Sequence, residues 1–213
     1  MRKRLFYAAA AAIFTAGCQS APGMFSSAPP KVAENQDTYI CNGLPIRKML
    51  LDENDYNREY KLPGPMTPRY VTIHNTANKA PAVRERDYLN NRRDSVYISF
   101  HFAVDESEAV QIMPLDMHGW HAGDGHGDGN MKSIGIEICR STLYDGDLYR
   151  RSEDNAVKLA AWLLFVNHLT IDDLRMHQDW SGKKCPHRII EDNRWPEFKQ
   201  RVADSLAELE KNK

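Results

Sequence analysis

The sequence predicts one α/β domain built on a central mixed β-sheet flanked by helices. Three observations carry that prediction. Stretches at 70–75, 98–104 and 133–139 alternate their side chains with the period of two that a half-buried strand requires. Longer stretches at 82–93, 152–168 and 195–209 carry apolar residues at helical spacing. Strands interleaved with helices pack as a sheet covered by helices.

The strands and helices follow in order. Residues 38–46 add an edge strand or wrap the domain, and the polar, Pro-rich stretch 52–68 reads as a loop. At 70–75, Val71 and Ile73 share one face, and Thr72 and His74 the other. The helix at 82–93 offers Val83, Tyr88 and Leu89 as its apolar positions. Ile98, Phe100, Phe102 and Val104 face one way, and 109–113 is a partner strand across the turn at 105–108. Residues 119–130 hold too much glycine for regular structure. In 133–139, Ile134, Ile136 and Ile138 oppose Gly135, Glu137 and Cys139. The helix at 152–168 reads Ser152 as its N-cap, with Glu153 and Asp154 in the first turn. Its buried stripe is Ala156, Leu159, Ala160, Leu163 and Val166. A short strand at 174–177 and a last helix at 195–209 complete the domain.

A chain of 213 residues fits one domain with appendages. A hydrophobic fraction of 42% and a charged fraction of 27% are ordinary for a globular protein. The net charge of −1 and the lack of a long basic block exclude nucleic acid as the implied partner. No internal repeat is visible.

The N-terminus reads as a targeting segment. Arg2, Lys3 and Arg4 precede an apolar run at 5–16 that is too short to span a bilayer comfortably. It ends in Thr15-Ala16-Gly17-Cys18, which resembles a bacterial lipobox. The expected division is a lipoprotein-type signal peptide at 1–17 and a flexible linker at 18–37. An N-terminal extension at 38–66 then precedes the domain at 67–213. Cys18 would carry lipid. The chain would sit in the cell envelope, on the periplasmic face of an outer membrane or the outer face of a plasma membrane. Such compartments permit disulfides, so Cys41 and Cys139 either pair or remain two buried thiols.

The chemistry concentrates in His177-Gln-Asp-Trp-Ser-Gly-Lys-Lys-Cys185-Pro-His187. An imidazole and a thiol lie eight residues apart across a Ser-Gly turn, with Lys183 two residues before the thiol. Such ligands suit zinc, and His74 at its strand end is the best placed third. Two His and one Cys leave a fourth tetrahedral position for water, the mark of a catalytic zinc. Glu137, a carboxylate among isoleucines, either forms an ion pair on the sheet surface or faces a cleft. In a cleft it would orient or deprotonate that water, and Lys183 would stabilise the oxyanion of an attacked carbonyl. The set is complete for amide hydrolysis. His187 competes with Cys185 for the ligand role. Asp124 and Asp128 suggest a calcium loop only weakly. His118, His126 and His168 read as surface residues.

Five motifs then occur in order: Val71-Thr-Ile-His74-Asn-Thr-Ala, Ser99-Phe-His101-Phe-Ala-Val-Asp105, Trp120-His121-Ala-Gly123, Ser133-Ile-Gly-Ile-Glu137-Ile-Cys139, and the segment from His177 to Pro186. With these the chain resembles the type 2 N-acetylmuramoyl-L-alanine amidases. That superfamily includes phage and Bacillus cell-wall amidases and peptidoglycan-recognition proteins. The resemblance covers about 67–195 and implies a single zinc-amidase domain. It implies that His74, His177 and Cys185 bind one Zn2+, and that Glu137 and Lys183 assist catalysis. Cys185 is preferred to His187, because the family pattern places the lysine two residues before the ligand. The implied substrate is peptidoglycan or muropeptides, cut between the lactyl group of N-acetylmuramic acid and L-alanine. A monomer is expected. His101 and His121 either line the substrate groove or are hydrogen-bonded structural residues. Trp120 stacks on a sugar or plugs the sheet edge. The lipoprotein signal departs from the family, since endolysins are usually soluble. Two other readings stand beside this one: a cysteine hydrolase using Cys185 with His177, and a peptidoglycan-binding protein without activity.

Overall fold

The computed structural model describes residues 18–19, 38–144 and 146–212. The expected signal peptide and nearly all of the expected linker lie outside these residues. Among the described residues the strands are β1 Cys18–Gln19, β2 Thr38–Cys41, β3 Leu44–Lys48, β4 Tyr70–Asn75, β5 Phe102–Val104, β6 Ala109–Gln111, β7 Ser133–Ile138 and β8 Leu174–Met176. They form one mixed sheet in the order β1-β2-β3-β6-β5-β7-β4-β8. Strands β5, β7, β4 and β8 run parallel, and β6 is antiparallel to β5. The helices are α1 Asp55–Tyr60, α2 Ala82–Asn91, α3 Asp128–Lys132, α4 Leu148–Val166, α5 His177–Ser181, α6 His187–Glu191 and α7 Trp195–Lys211.

The extension joins the sheet. An Asn42-Gly43 turn, with φ of 51° and 70°, closes the β2–β3 hairpin, as an Asn-Gly pair favours. Strand β3 then pairs in parallel with β6. The stretch expected as a loop contains α1, because the Asn54 side chain accepts the Asn57 N–H and caps it.

The two sheet faces are covered differently. Val71, Ile73, Ile134, Ile136, Phe102 and Val104 pack in the larger core under α4, which α7 covers in turn. On the other face, Ala103, Val110 and Cys139 pack with Leu89 and Ala82 of α2. Asp105 caps α2 by accepting the Ala82 N–H at 2.8 Å. Ser152 is not a cap. Helix α4 begins at Leu148, and buried Ser152 bonds back to the Leu148 carbonyl at 2.7 Å. Glu153 is buried between α4 and α7, where Arg194 holds it at 2.6 Å. Cys41 is disulfide-bonded while Cys139 and Cys185 are free thiols, so Cys41 and Cys139 do not pair.

Candidate metal centre and groove

The parallel register sets His74 beside Glu137 on neighbouring strands, both one residue from the strand's carboxyl end. Ligand sites in open α/β sheets gather at such ends. Alternation turns both side chains to the face opposite the isoleucine core. Helix α5 follows β8 directly, so His177 opens a helix and does not sit in a loop. Gly182, at φ 77°, ends α5 in the left-handed conformation and returns the chain to Cys185.

His74, His177 and Cys185 are all buried, and their ligand atoms lie within 4.8 Å of one another. Nδ1 of His74 is 3.0 Å from Nδ1 of His177. The other nitrogen of His74, Nε2, is 3.1 Å from Nδ1 of His121. Nε2 of His177 lies on the side of the ring that faces Gly123. The Asn75 N–H points at the Cys185 sulfur at 3.4 Å. Two ring nitrogens this close need a proton or a cation between them, and burial without a counter-charge opposes the proton. With a thiol beside them, the donor set fits a soft divalent ion such as zinc. His187 stands outside this cluster, at the start of α6.

Burial governs the electrostatics. It holds His74 well below the usual histidine range, helped by the neighbouring His121 and His177. It lowers His177 to about 4 and raises the Cys185 thiol to about 12. Glu137 is pushed up to about 8, first by burial and then by the charge of Glu85. Its Oε2 has no protein partner. A buried acceptor without a partner suits a site that receives a ligand or a proton.

A groove of about 360 Å³ opens over this cluster. Glu137 and the exposed Lys183 line it, together with Trp120, Tyr97 and Arg92. Trp120 is half-buried, with Tyr97 edge-on at 5.7 Å and His126 at 5.6 Å. Its Nε1 has no partner. His121 also lines the groove, yet it is 8% exposed and bonded to His74 and to the Ser133 carbonyl. His101 does not reach the groove. Its Nε2 donates to the Met117 carbonyl at 2.8 Å, and its Nδ1 accepts the Gly135 N–H at 3.0 Å. His118 is buried, not on the surface, while His126 and His168 are exposed. Asp124 accepts the Gly129 and Asn130 N–H groups at the start of α3, so a helix end uses the carboxylate a calcium loop would need. Asn75, Tyr97 and Arg92 were not marked by sequence. Only the position of Asn75, next to His74, signals it.

The family model for N-acetylmuramoyl-L-alanine amidase matches residues 64–188. The amidase XlyB of Bacillus subtilis (strain 168) is 45% identical over 164 residues, 76% of this chain and 50% of that protein. The chain thus spans about half the length of this curated relative. The solved structure of PlyL is 41% identical with a TM-score of 0.69, and covers 74% of this chain and 96% of its own. A mutant endolysin from Bacillus subtilis is 36% identical with a TM-score of 0.65, over 75% of this chain and 99% of its own. These relatives correct the lipid-anchored envelope location expected from Cys18, because they place the chain beside an endolysin, a class that is usually soluble. Among the described residues, no helix is long and apolar enough to cross a membrane. The backbone of Cys18 pairs with Cys41 in the β1–β2 ladder. Motifs, sheet and family model agree, and the chain belongs to the N-acetylmuramoyl-L-alanine amidase family.

Proposed function

We propose that this protein cuts the amide bond between N-acetylmuramic acid and L-alanine in peptidoglycan or released muropeptides, with one zinc ion held by His74, His177 and Cys185. The observation that carries this reading is the convergence of the three ligand atoms under a groove that Glu137 and Lys183 also line. When bound, zinc supplies Lewis acidity toward a carbonyl oxygen and acidifies water. Glu137 takes the proton of the attacking water on its unpartnered oxygen and returns it to the leaving amine. Lys183, exposed at the groove rim, donates to the oxyanion. Trp120 and Tyr97 present aromatic surface against which a sugar ring stacks. Residues 67–213 act as the amidase domain, and one chain supplies the whole site, so the active unit is a monomer.

A cysteine hydrolase would need the Cys185 thiol to hand its proton to His177. Instead the sulfur accepts from the Asn75 N–H, and Nδ1 of His177 faces His74. The test is digestion of purified peptidoglycan followed by mass analysis. Free stem peptides beginning at L-alanine are expected, lost with chelator and restored by zinc. Cut glycan strands, peptides cut internally, or loss by thiol alkylation with indifference to chelator would refute the proposal. Glu137→Ala should abolish turnover and leave zinc binding intact. Full activity in that variant would remove its role, and a wild type that binds wall without turnover would make the protein a binding module.

A further inference from the structure

Resting on the zinc reading, we propose that His121 is a positioning residue of the metal centre, which fixes the tautomer of His74 through a hydrogen-bond chain ending on the Ser133 carbonyl. The Ser133 carbonyl can only accept a hydrogen bond. His121 Nε2 lies 3.1 Å from it and therefore carries the ring hydrogen. A neutral imidazole has one N–H, so Nδ1 of His121 is left as an acceptor. Nε2 of His74 lies 3.1 Å from that acceptor and must donate. The hydrogen of His74 is then on Nε2, and its Nδ1 is a free lone pair. That lone pair faces Nδ1 of His177 at 3.0 Å, where the ligand atoms converge. Without His121, no acceptor on this side of the ring holds the hydrogen on Nε2, and His74 is free to place it on the nitrogen that the metal needs. Second-sphere partners of ligating histidines act in this way.

Two glycines hold the His121 ring in its slot. A Cβ at Gly135 would stand 2.9 Å from the His121 ring, and one at Gly119 would stand 3.2 Å from it. The Asn130 side chain accepts the His121 N–H at 2.8 Å and fixes the backbone. Gly135 is on β7, two residues before Glu137, so the small residue beside the carboxylate has a function: it makes room for the ring behind His74.

The test uses the full chain as wild type, His121→Phe, His121→Asn and Gly135→Ala. Zinc affinity is measured by competition with a chromophoric chelator. Long-range ¹H–¹⁵N NMR of the metal-free protein reports which nitrogen of His74 bears hydrogen. The Phe variant keeps the ring volume and loses the acceptor, so zinc should bind about 10–100-fold more weakly, the range for lost second-sphere partners. The Asn variant sets Oδ1 near the position of Nδ1 and should recover most of the affinity. Gly135→Ala should weaken zinc with His121 still present. Wild-type affinity in the Phe variant, or a wild type with hydrogen on Nδ1 of His74, overturns the inference. If the Phe variant fails to fold, the wild-type spectrum and the other two variants decide. A wild type that shows the Nε2–H form but takes no zinc sinks the zinc reading and leaves the hydrogen-bond chain standing.

Discussion

Acid should destabilise the metal-free protein through its enclosed histidines, and Glu137→Gln should expose the full effect. Burial holds His101 at about 4 and His121 at about 3, so both are neutral in the fold at pH 5. The unfolded chain protonates them near 6.5. Their folded values are depressed, so the unfolded state binds more protons below pH 6.5 and stability is lost as pH falls. From 6.5 down to pH 5, each histidine costs about 2 kcal/mol at 1.36 kcal/mol per pH unit, or about 4 kcal/mol for the two. That sum holds for any folded value well below 5. His74 and His177 are lowered too and add in the same direction. Glu137 runs the other way. Its folded value, raised to about 8, means the folded state binds more protons between the unfolded carboxylate range and pH 8. Between pH 7 and pH 5 it therefore adds about 2.5 kcal/mol of stability as pH falls. Urea unfolding of the metal-free Glu137→Gln variant should show a loss of at least about 4 kcal/mol from pH 7 to pH 5. The wild type should lose about 2.5 kcal/mol less than the variant. A variant as stable at pH 5 as at pH 7, or a wild type that loses more than the variant, refutes the burial argument.

Lys183→Ala should lower kcat by about 10²–10³, the cost of one oxyanion donor, with zinc still bound; unchanged kcat would remove Lys183 from the reaction. Phe198 is fully buried and stacks on Trp195 at 5.7 Å, so Phe198→Ala should cost about 3–5 kcal/mol in urea unfolding at neutral pH. Glu153→Ala leaves Arg194 without its 2.6 Å partner and strips a shared contact from Arg150 and Arg201. It should cost about 3–5 kcal/mol, and a loss within experimental error would show that water reaches these guanidinium groups.

The chemistry-bearing residues were legible because local pattern marks them. His74 and Glu137 fall on the polar phase of strands whose other phase is isoleucine and valine. His177, Lys183 and Cys185 crowd one short segment. Elsewhere tertiary packing overrides local pattern. Ser152 has the chemistry of a cap, yet the helix extends a turn past it. Asp124 has the chemistry of a calcium ligand, yet a helix end claims its oxygens. His118 and His101 carry polar side chains that local pattern cannot place, and burial is set by what packs on them from elsewhere in the chain.

Spacing along the chain is enough to set a side chain's face, so the alternation of strands and helices, the imidazole and thiol cluster and the carboxylate beside it are readable from residue order alone. Long-range packing sets which nitrogens of His74 and His177 converge, places His121 behind His74, and pairs the extension into the sheet. These are pairings between segments up to about a hundred residues apart, made by parallel strand register and helix placement. No local period encodes a distance of 3.0 Å between two rings.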